Sequence, residues 1–282
     1  MIRVDGKEVS KAIRLGLKEE VSKLGFAPGL GVVLVGDDPA SQVYVRNKFK
    51  ACEAVGMKSF ETKLSADVSP AELKKAIDEL NGNPEVHGFL VQLPLPDGFN
   101  TDEVLSWVDP KKDADGLTIE NIGLFHAGQP RSVPCTPHGV IKMLKAYDFQ
   151  IEGANAVVIG RSQIVGWPMA RLLMDENATV TVCHSRTADL KAHTKAADIV
   201  VVAAGRPEFV DASHFKKDAV VIDVGIHRTE HRGLVGDVKA SGCAGHLKAL
   251  SPVPGGVGPM TITMLLANTL RLAKGHWVTP RP

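Results

Sequence analysis

Tyr44 and Lys48 lie four residues apart in the run YVRNK, downstream of Pro39. Proline suits the first turn of a helix, and on a helix a spacing of four puts both side chains on one face. The tyrosine ring can stack a heterocycle. The lysine can give or take a proton, provided burial or nearby positive charge lowers its pKa toward neutrality. An ordinary solvated helix face has the same spacing. Gln92 closes the apolar run VHGFLVQ just before LPLP. A strand's carboxyl end is where α/β folds present functional groups, and a carboxamide both donates and accepts; a capping amide reads the same way. Asp115 stands with Asp113 in KKDADGLT. From a rigid turn its carboxylate can take two hydrogen bonds from an aminopyrimidine edge, although Asp-Gly also forms simple Asx turns.

A second constellation lies further along, in AVVIGRSQIVGWPMARLL. It reads strand, tight turn, helix. Gly160 ends the strand, Ser162 stands where GxGxxG has its second glycine, and Gly166 falls one place beyond the usual third. Backbone N–H groups after Gly160 can face a pyrophosphate at the helix start; an ordinary βα turn remains the plain alternative. The next strand, TVTVC, runs into His184-Ser185-Arg186-Thr187 with no acid at its end. NAD-binding units place Asp or Glu there for the ribose hydroxyl. A serine and a guanidinium suit a 2′-phosphate instead, and Arg161 can serve the same group. NADP is therefore expected over NAD. Short-chain dehydrogenases also carry YxxxK, but after their glycine turn; here the pair precedes Gly160 in what reads as another domain.

The elements that position these residues alternate in type. A helix around 7–24, a buried strand GLGVVLVG at 29–36, a helix from Pro39 to about 55, a strand at 58–64, a helix opened by Ser69-Pro70 and the strand at 86–92 are predicted in turn. The segment 93–135, dense in Pro, Gly and Asp, reads as ordered loops. A helix near 136–147 leads to strands at 156–160 and near 178–183, 198–203 and 218–224, with helices between. SPVPGGVGPMT (251–261) reads as a rigid loop before a last helix to about 274. Such alternation predicts an α/β class with mainly parallel sheets and a doubly wound nucleotide-binding unit in the second half.

The 282 residues accommodate two domains. A hydrophobic fraction of 44% and a charged fraction of 23% fit a folded chain. A net charge of +1 gives no electrostatic case for a nucleic-acid or membrane partner. No apolar run approaches the ~18 residues of a membrane span, and the N-terminal stretch lacks a signal-peptide core. A cytoplasmic location is expected by default. Cys52, Cys135, Cys183 and Cys243 are too widely spaced for CxxC pairs and are expected as buried free thiols. The histidines show no ligand spacing, so no metal is expected.

LVGDDPASQVYVRNK, GFLVQLPLP, KDADGL, PCTPHGV, VVIGRSQIVGWPMA, VIDVGI and PVPGGVGPMT occur in this order. In these motifs and their spacing the chain resembles the bifunctional methylenetetrahydrofolate dehydrogenase/methenyltetrahydrofolate cyclohydrolases over essentially its whole length. The resemblance implies NADP-dependent oxidation of 5,10-methylenetetrahydrofolate, then hydrolysis to 10-formyltetrahydrofolate. It implies an N-terminal α/β catalytic domain (1–137 plus 263–282), a C-terminal Rossmann-type domain (138–262), a cleft between them and a last helix returning to the first. By the same resemblance Tyr44 stacks the pterin-bearing ligand, Lys48 is the central catalytic group, Gln92 tunes it and Asp115 anchors the pterin edge. Gly160, Arg161 and Ser162 cradle the NADP phosphates, Ser185 lies near the 2′-phosphate and Ile226 lines the nicotinamide region. Pro254, Gly255, Gly256 and Gly258 form a loop over the folate, with Pro259 starting the helix. A homodimer, largely through the cofactor domain, is implied too. Trp167 departs from the family's common pattern, which carries Lys or Arg there, and the loop 227–237 is short. A shikimate-dehydrogenase-like enzyme would share the Rossmann half without needing Tyr44, Gln92 and PVPGGVGPMT together. A non-catalytic folate- or nucleotide-binding protein would not need Lys48, Gln92 and Asp115 intact.

Overall fold

The computed structural model describes residues 1–275. The end of the expected return segment, residues 276–282, lies outside the described residues. The chain forms two compact units. One comprises Ala12–Cys135 and the chain from Ile262 on; the other comprises Met1–Lys11 and Thr136–Thr261.

The first unit is built on three parallel strands in the order β3-β2-β4: β2 (Gly29–Val35), β3 (Lys58–Leu64) and β4 (Gly88–Val91). Every residue of β2 is buried, as a central strand covered on both faces requires. Helix α2 (Pro39–Val55) links β2 to β3, and α3 (Pro70–Gly82) links β3 to β4. Local chemistry sets their ends. The Asp38 carboxylate accepts the Ser41 N–H at 2.7 Å, Pro39 fills the first turn, and Gly56 stops α2 at φ 81°. Ser69 and Glu72 form a capping box on α3. Val33, Val35, Leu73, Ile77, Phe89 and Val104 lie in one buried cluster.

The segment 93–135 holds two short helices that the density of Pro, Gly and Asp obscures: α4 (Thr101–Ser106) and α5 (Ile119–His126). Asn100 caps α4 by accepting the N–H groups of Asp102 and Glu103. The last helix, α9 (Val257–Ala273), belongs to this unit from Ile262 on. There the Asn268 side chain donates to the carbonyls of Ala114 and Val133, each at 2.8 Å.

The second unit is a six-stranded, wholly parallel sheet in the order β1-β11-β8-β7-β5-β6. Its strands are β1 (Ile2–Arg3), β5 (Asn155–Ile159), β6 (Thr179–Cys183), β7 (Ile199–Val202), β8 (Val220–Asp223) and β11 (Ala249–Leu250). The chain leaves β5 for β6 on one side and returns to β7 on the other, so the strand order switches direction between β5 and β7. Helix α6 (Cys135–Ala146) precedes β5, α7 (Gly166–Asp175) follows it, and α8 (Leu190–Thr194) follows β6.

Two features of this unit differ from the sequence expectation. The first eleven residues join it, not the N-terminal domain assigned to 1–137, because β1 pairs with β11 and the Asp5 N–H donates to the Tyr147 hydroxyl at 2.8 Å. Residues 227–237, read as a short loop, contain an antiparallel hairpin of β9 (His227–Thr229) and β10 (Gly233–Val235). Helix α1 (Gly6–Ser22) begins in this unit, and the division falls after Lys11.

Candidate active site

In the first unit, Lys48 extends from the buried side of α2 and is only 6% exposed. Its Nζ donates to Gln92 Oε1 at 2.7 Å. Gln92 stands immediately beyond β4, and its Nε2 donates to the Leu93 carbonyl at 2.7 Å. That second bond fixes the amide with its oxygen toward the lysine. The segment before Asp115 runs parallel beside β4: the Phe89 N–H donates to the Lys112 carbonyl and the Ala114 N–H to the Phe89 carbonyl. Gln92 and Asp115 therefore emerge at the same end of the sheet. The buried Cys135 thiol donates to the carbonyl of Ala114, the neighbour of Asp115, at 3.6 Å.

Burial drives the electrostatics. It lowers the pKa of the Lys48 amine, which the Asp115 carboxylate partly offsets. It raises the Asp115 carboxyl, offset in turn by Lys48. Each group is pushed toward its neutral form and held back by the other. Tyr44, one turn before Lys48 on α2, is half-buried, and burial raises its phenol. A lysine with access to its neutral state, an oriented carboxamide and a carboxyl group form an acid–base set.

Asp113 proves to be scaffold. It is 4% exposed and accepts from the Gly116 N–H, the Thr118 N–H and hydroxyl, and Asn121 Nδ2. These four bonds build the turn that presents Asp115. Thr118 therefore spends its hydroxyl on Asp113 instead of capping α5. The place of Cys135 beside the Asp115 segment was not foreseen either, although PCTP carries the residue; burial, and then the Asp115 charge, hold its thiol well above the ordinary range.

In the second unit, Gly160 follows β5 with φ 126°. A Cβ there would come within 2.1 Å of the Ala203 carbonyl oxygen, and one on Gly166 within 2.4 Å of the Gly160 carbonyl oxygen. Only glycines allow strand end, turn and helix start to close this tightly. Arg161 and Ser162 are exposed in the turn. The Ser162 hydroxyl oxygen accepts the N–H groups of Val165 and Gly166 at 3.1 and 3.4 Å, leaving its own hydrogen to donate. Val165, at the start of α7, supplies no side-chain cap. This glycine-lined helix start fits a pyrophosphate.

After β6, the Thr187 hydroxyl accepts the His184 N–H, and His184 Nδ1 accepts the Arg186 N–H. The turn exposes Ser185 and Arg186. The nearest acid, Asp189, accepts the Ala192 N–H at the start of α8. The exposed Ser185 hydroxyl and Arg186 guanidinium are donors that fit a phosphate. Ile226, just beyond β8, is 43% exposed. In PVPGG, Gly255 adopts φ 104°, and its carbonyl accepts the Gly6 N–H at the start of α1. Helix α9 begins at Val257, so Gly258 lies in its first turn, not in the preceding loop, and Pro259 follows it inside. Proline costs nothing there because the first N–H groups of a helix have no intrahelical acceptor.

All four cysteines are buried free thiols. Among the described residues, no helix is long and apolar enough to cross a membrane.

Both halves of the chain match known protein-family models. Residues 4–115 match the tetrahydrofolate dehydrogenase/cyclohydrolase catalytic domain, and residues 134–277 match the NAD(P)-binding domain of the same family. The bifunctional protein FolD 1/3 of Ruegeria pomeroyi is 55% identical over 95% of this chain and 93% of its own. Among solved structures, the bifunctional FolD methylenetetrahydrofolate dehydrogenase/cyclohydrolase of Campylobacter jejuni is 46% identical with a TM-score of 0.93, covering 98% of this chain and 99% of its own. The Trypanosoma brucei enzyme complexed with NADP and an inhibitor is 40% identical, also with a TM-score of 0.93, covering 98% of each chain. The chain belongs to the tetrahydrofolate dehydrogenase/cyclohydrolase family.

Proposed function

We propose that this chain oxidises 5,10-methylenetetrahydrofolate to the 5,10-methenyl form with NADP and hydrolyses that product to 10-formyltetrahydrofolate. The observation that carries the hydrolytic half is the buried Lys48 amine hydrogen-bonded to Gln92 at 2.7 Å. The unit of Ala12–Cys135 takes the folate, and the Rossmann-type unit takes NADP.

Bound NADP would supply the hydride acceptor for the methylene carbon. Gly160, Arg161 and Ser162 hold its pyrophosphate, Ser185 its 2′-phosphate, and Ile226 lies at the nicotinamide. Pro254, Gly255, Gly256 and Gly258 border the folate. Tyr44 stacks against the pterin-bearing ligand, and Asp115 anchors the pterin edge through paired hydrogen bonds. Lys48 Nζ in its neutral form takes a proton from the water that adds to the cationic methenyl carbon. The resulting ammonium donates to Gln92 Oε1 and is balanced by Asp115. The same proton then passes to the ring nitrogen as its bond to carbon breaks, while the hydroxyl now on that carbon gives up its own proton to solvent and becomes the formyl carbonyl. A cationic substrate beside Lys48 favours the neutral amine before attack, by like-charge repulsion.

The protein acts as a cytoplasmic homodimer, a reading that rests on family resemblance; light scattering at micromolar concentration checks the dimer. Two reactions test the function: NADP reduction with 5,10-methylenetetrahydrofolate, and loss of supplied methenyltetrahydrofolate above its spontaneous rate. Both are expected, and folded protein lacking both would overturn the reading.

A further inference from the structure

Two buried carboxylates in the Rossmann-type unit have no part in the chemistry above. Asp237 is wholly buried and Asp223 is 3% exposed. Asp237 Oδ2 accepts the N–H groups of Ala204 and Gly205 at 2.6 and 2.9 Å. Its Oδ1 accepts the Arg206 N–H at 2.9 Å and lies 2.7 Å from His227 Nε2. Asp223, at the end of β8, accepts the N–H groups of Gly225, Asp237 and Val238. The two carboxylates thus form a chain of bonds in which Asp223 seats Asp237 and Asp237 seats the loop after β7.

This arrangement is built for contact. A Cβ on Gly225 would approach Asp237 Oδ1 to 2.3 Å, and one on Gly236 would approach Asp223 Oδ2 to 1.9 Å. Glycine at both places lets backbone and carboxylate meet. The loop held by Asp237 begins where the Ala203 carbonyl packs against Gly160. Residues 203–206 and the glycine turn therefore lie together at the switch between β5 and β7, outside the carboxyl ends of the strands, where doubly wound sheets bind nucleotides. On its other side Asp237 grips His227, the neighbour of the exposed Ile226.

We infer that Asp237 is a positioning residue for the cofactor: by holding the amides of Ala204–Arg206 and the ring of His227, it preforms the wall of the NADP site between the glycine turn and Ile226. Binding then requires little ordering of that loop. This inference rests on the proposed use of NADP. Its test separates the two, because wild-type binding is measured first.

Calorimetric titration with NADP and amide hydrogen exchange of the unliganded protein are compared for wild type, Asp237→Asn and His227→Phe. In Asp237→Asn one oxygen becomes an NH2 group facing N–H donors. The amides of Ala204–Arg206 are expected to exchange faster, and NADP to bind about tenfold more weakly at unchanged stoichiometry, the size of one lost hydrogen bond to a charged group. Unchanged affinity, or unchanged exchange at those amides, would overturn the inference. Should Asp237→Asn fail to fold, His227→Phe decides: weaker NADP binding with faster exchange supports it, and wild-type affinity overturns it. A wild-type protein that does not bind NADP would instead remove the functional reading on which the inference stands.

Discussion

Replacing Lys48 with methionine isolates the amine from its surroundings. The unbranched thioether follows the path of the lysine stem, so the change deletes chemistry more than volume. Acid–base catalysis by a positioned group contributes about 10²–10⁴-fold, or about 3–5.5 kcal/mol of barrier. Enzyme-dependent hydrolysis of supplied methenyltetrahydrofolate should fall by that factor, to near the spontaneous rate, and the dehydrogenase should be strongly impaired. Stability should move little because two effects oppose. Gln92 Oε1, half-buried, loses the donor it has at 2.7 Å, a cost below the ~1–3 kcal/mol of a fully buried acceptor left unpaired. Against this, a buried amine no longer has to be desolvated. Fluorescence-monitored urea unfolding checks the fold, and loss of methenyl absorbance, corrected for the uncatalysed reaction, checks the rate. Hydrolysis at the wild-type rate in folded Lys48→Met would refute the assignment of the acid–base role.

Burial lowers the Lys48 pKa, and the neutral amine is the form that takes the proton, so hydrolysis should rise with pH along a limb centred below the ordinary lysine range. Gln92→Leu removes an acceptor that favours the protonated amine; the limb should move to lower pH while the plateau rate falls, and a limb that moves upward would contradict the role. Arg161→Ala and Ser185→Ala should each raise the KM for NADP about tenfold, the scale of a charge-assisted contact, and spare methenyl hydrolysis; equal loss of both activities would argue against the division of labour. Asp113→Asn disturbs a carboxylate that accepts from Gly116, Thr118 and Asn121. It should cost about 2–4 kcal/mol in urea unfolding, and unchanged stability would show that the turn does not depend on it.

The sequence exposes most of the secondary structure because its signals are local. GLGVVLV is a buried strand by composition, and Ser69-Pro70 with Glu72 carries its capping box openly. The doubly wound unit is legible from its repeated strand–helix alternation. What stays hidden depends on distant partners. β1 and β11 are two residues each; β1 exists only through pairing with β11, and β11 through pairing with β1 and β8. Asn100 before α4 is a cap visible in FNTDEVLS, but the surrounding prolines and glycines mask it. The site divides in the same way. Tyr44, Lys48, Gln92 and Asp115 can be picked out by type and spacing, and the structure brings Lys48 onto Gln92, with Asp115 at the same sheet end. The meeting of Lys48 with Gln92 and of the Cys135 thiol with the Ala114 carbonyl are tertiary facts that no local pattern encodes, whereas the bonds by which Asp113 builds its turn all fall within eight residues of it. Asp237 is a further case: its bonds to Ala204, Gly205 and Arg206 span more than thirty residues of chain.

The central claim is that one chain performs both steps, the second through Lys48 and Gln92. The most direct test is a single reaction of wild-type protein with 5,10-methylenetetrahydrofolate and NADP, in which reduced cofactor and the methenyl intermediate are followed at separate wavelengths. The account predicts that reduced cofactor accumulates well ahead of methenyl, with 10-formyltetrahydrofolate making up the difference beyond spontaneous hydrolysis. Methenyl rising mole for mole with reduced cofactor would leave the dehydrogenase standing and contradict the hydrolytic role of the Lys48–Gln92 pair.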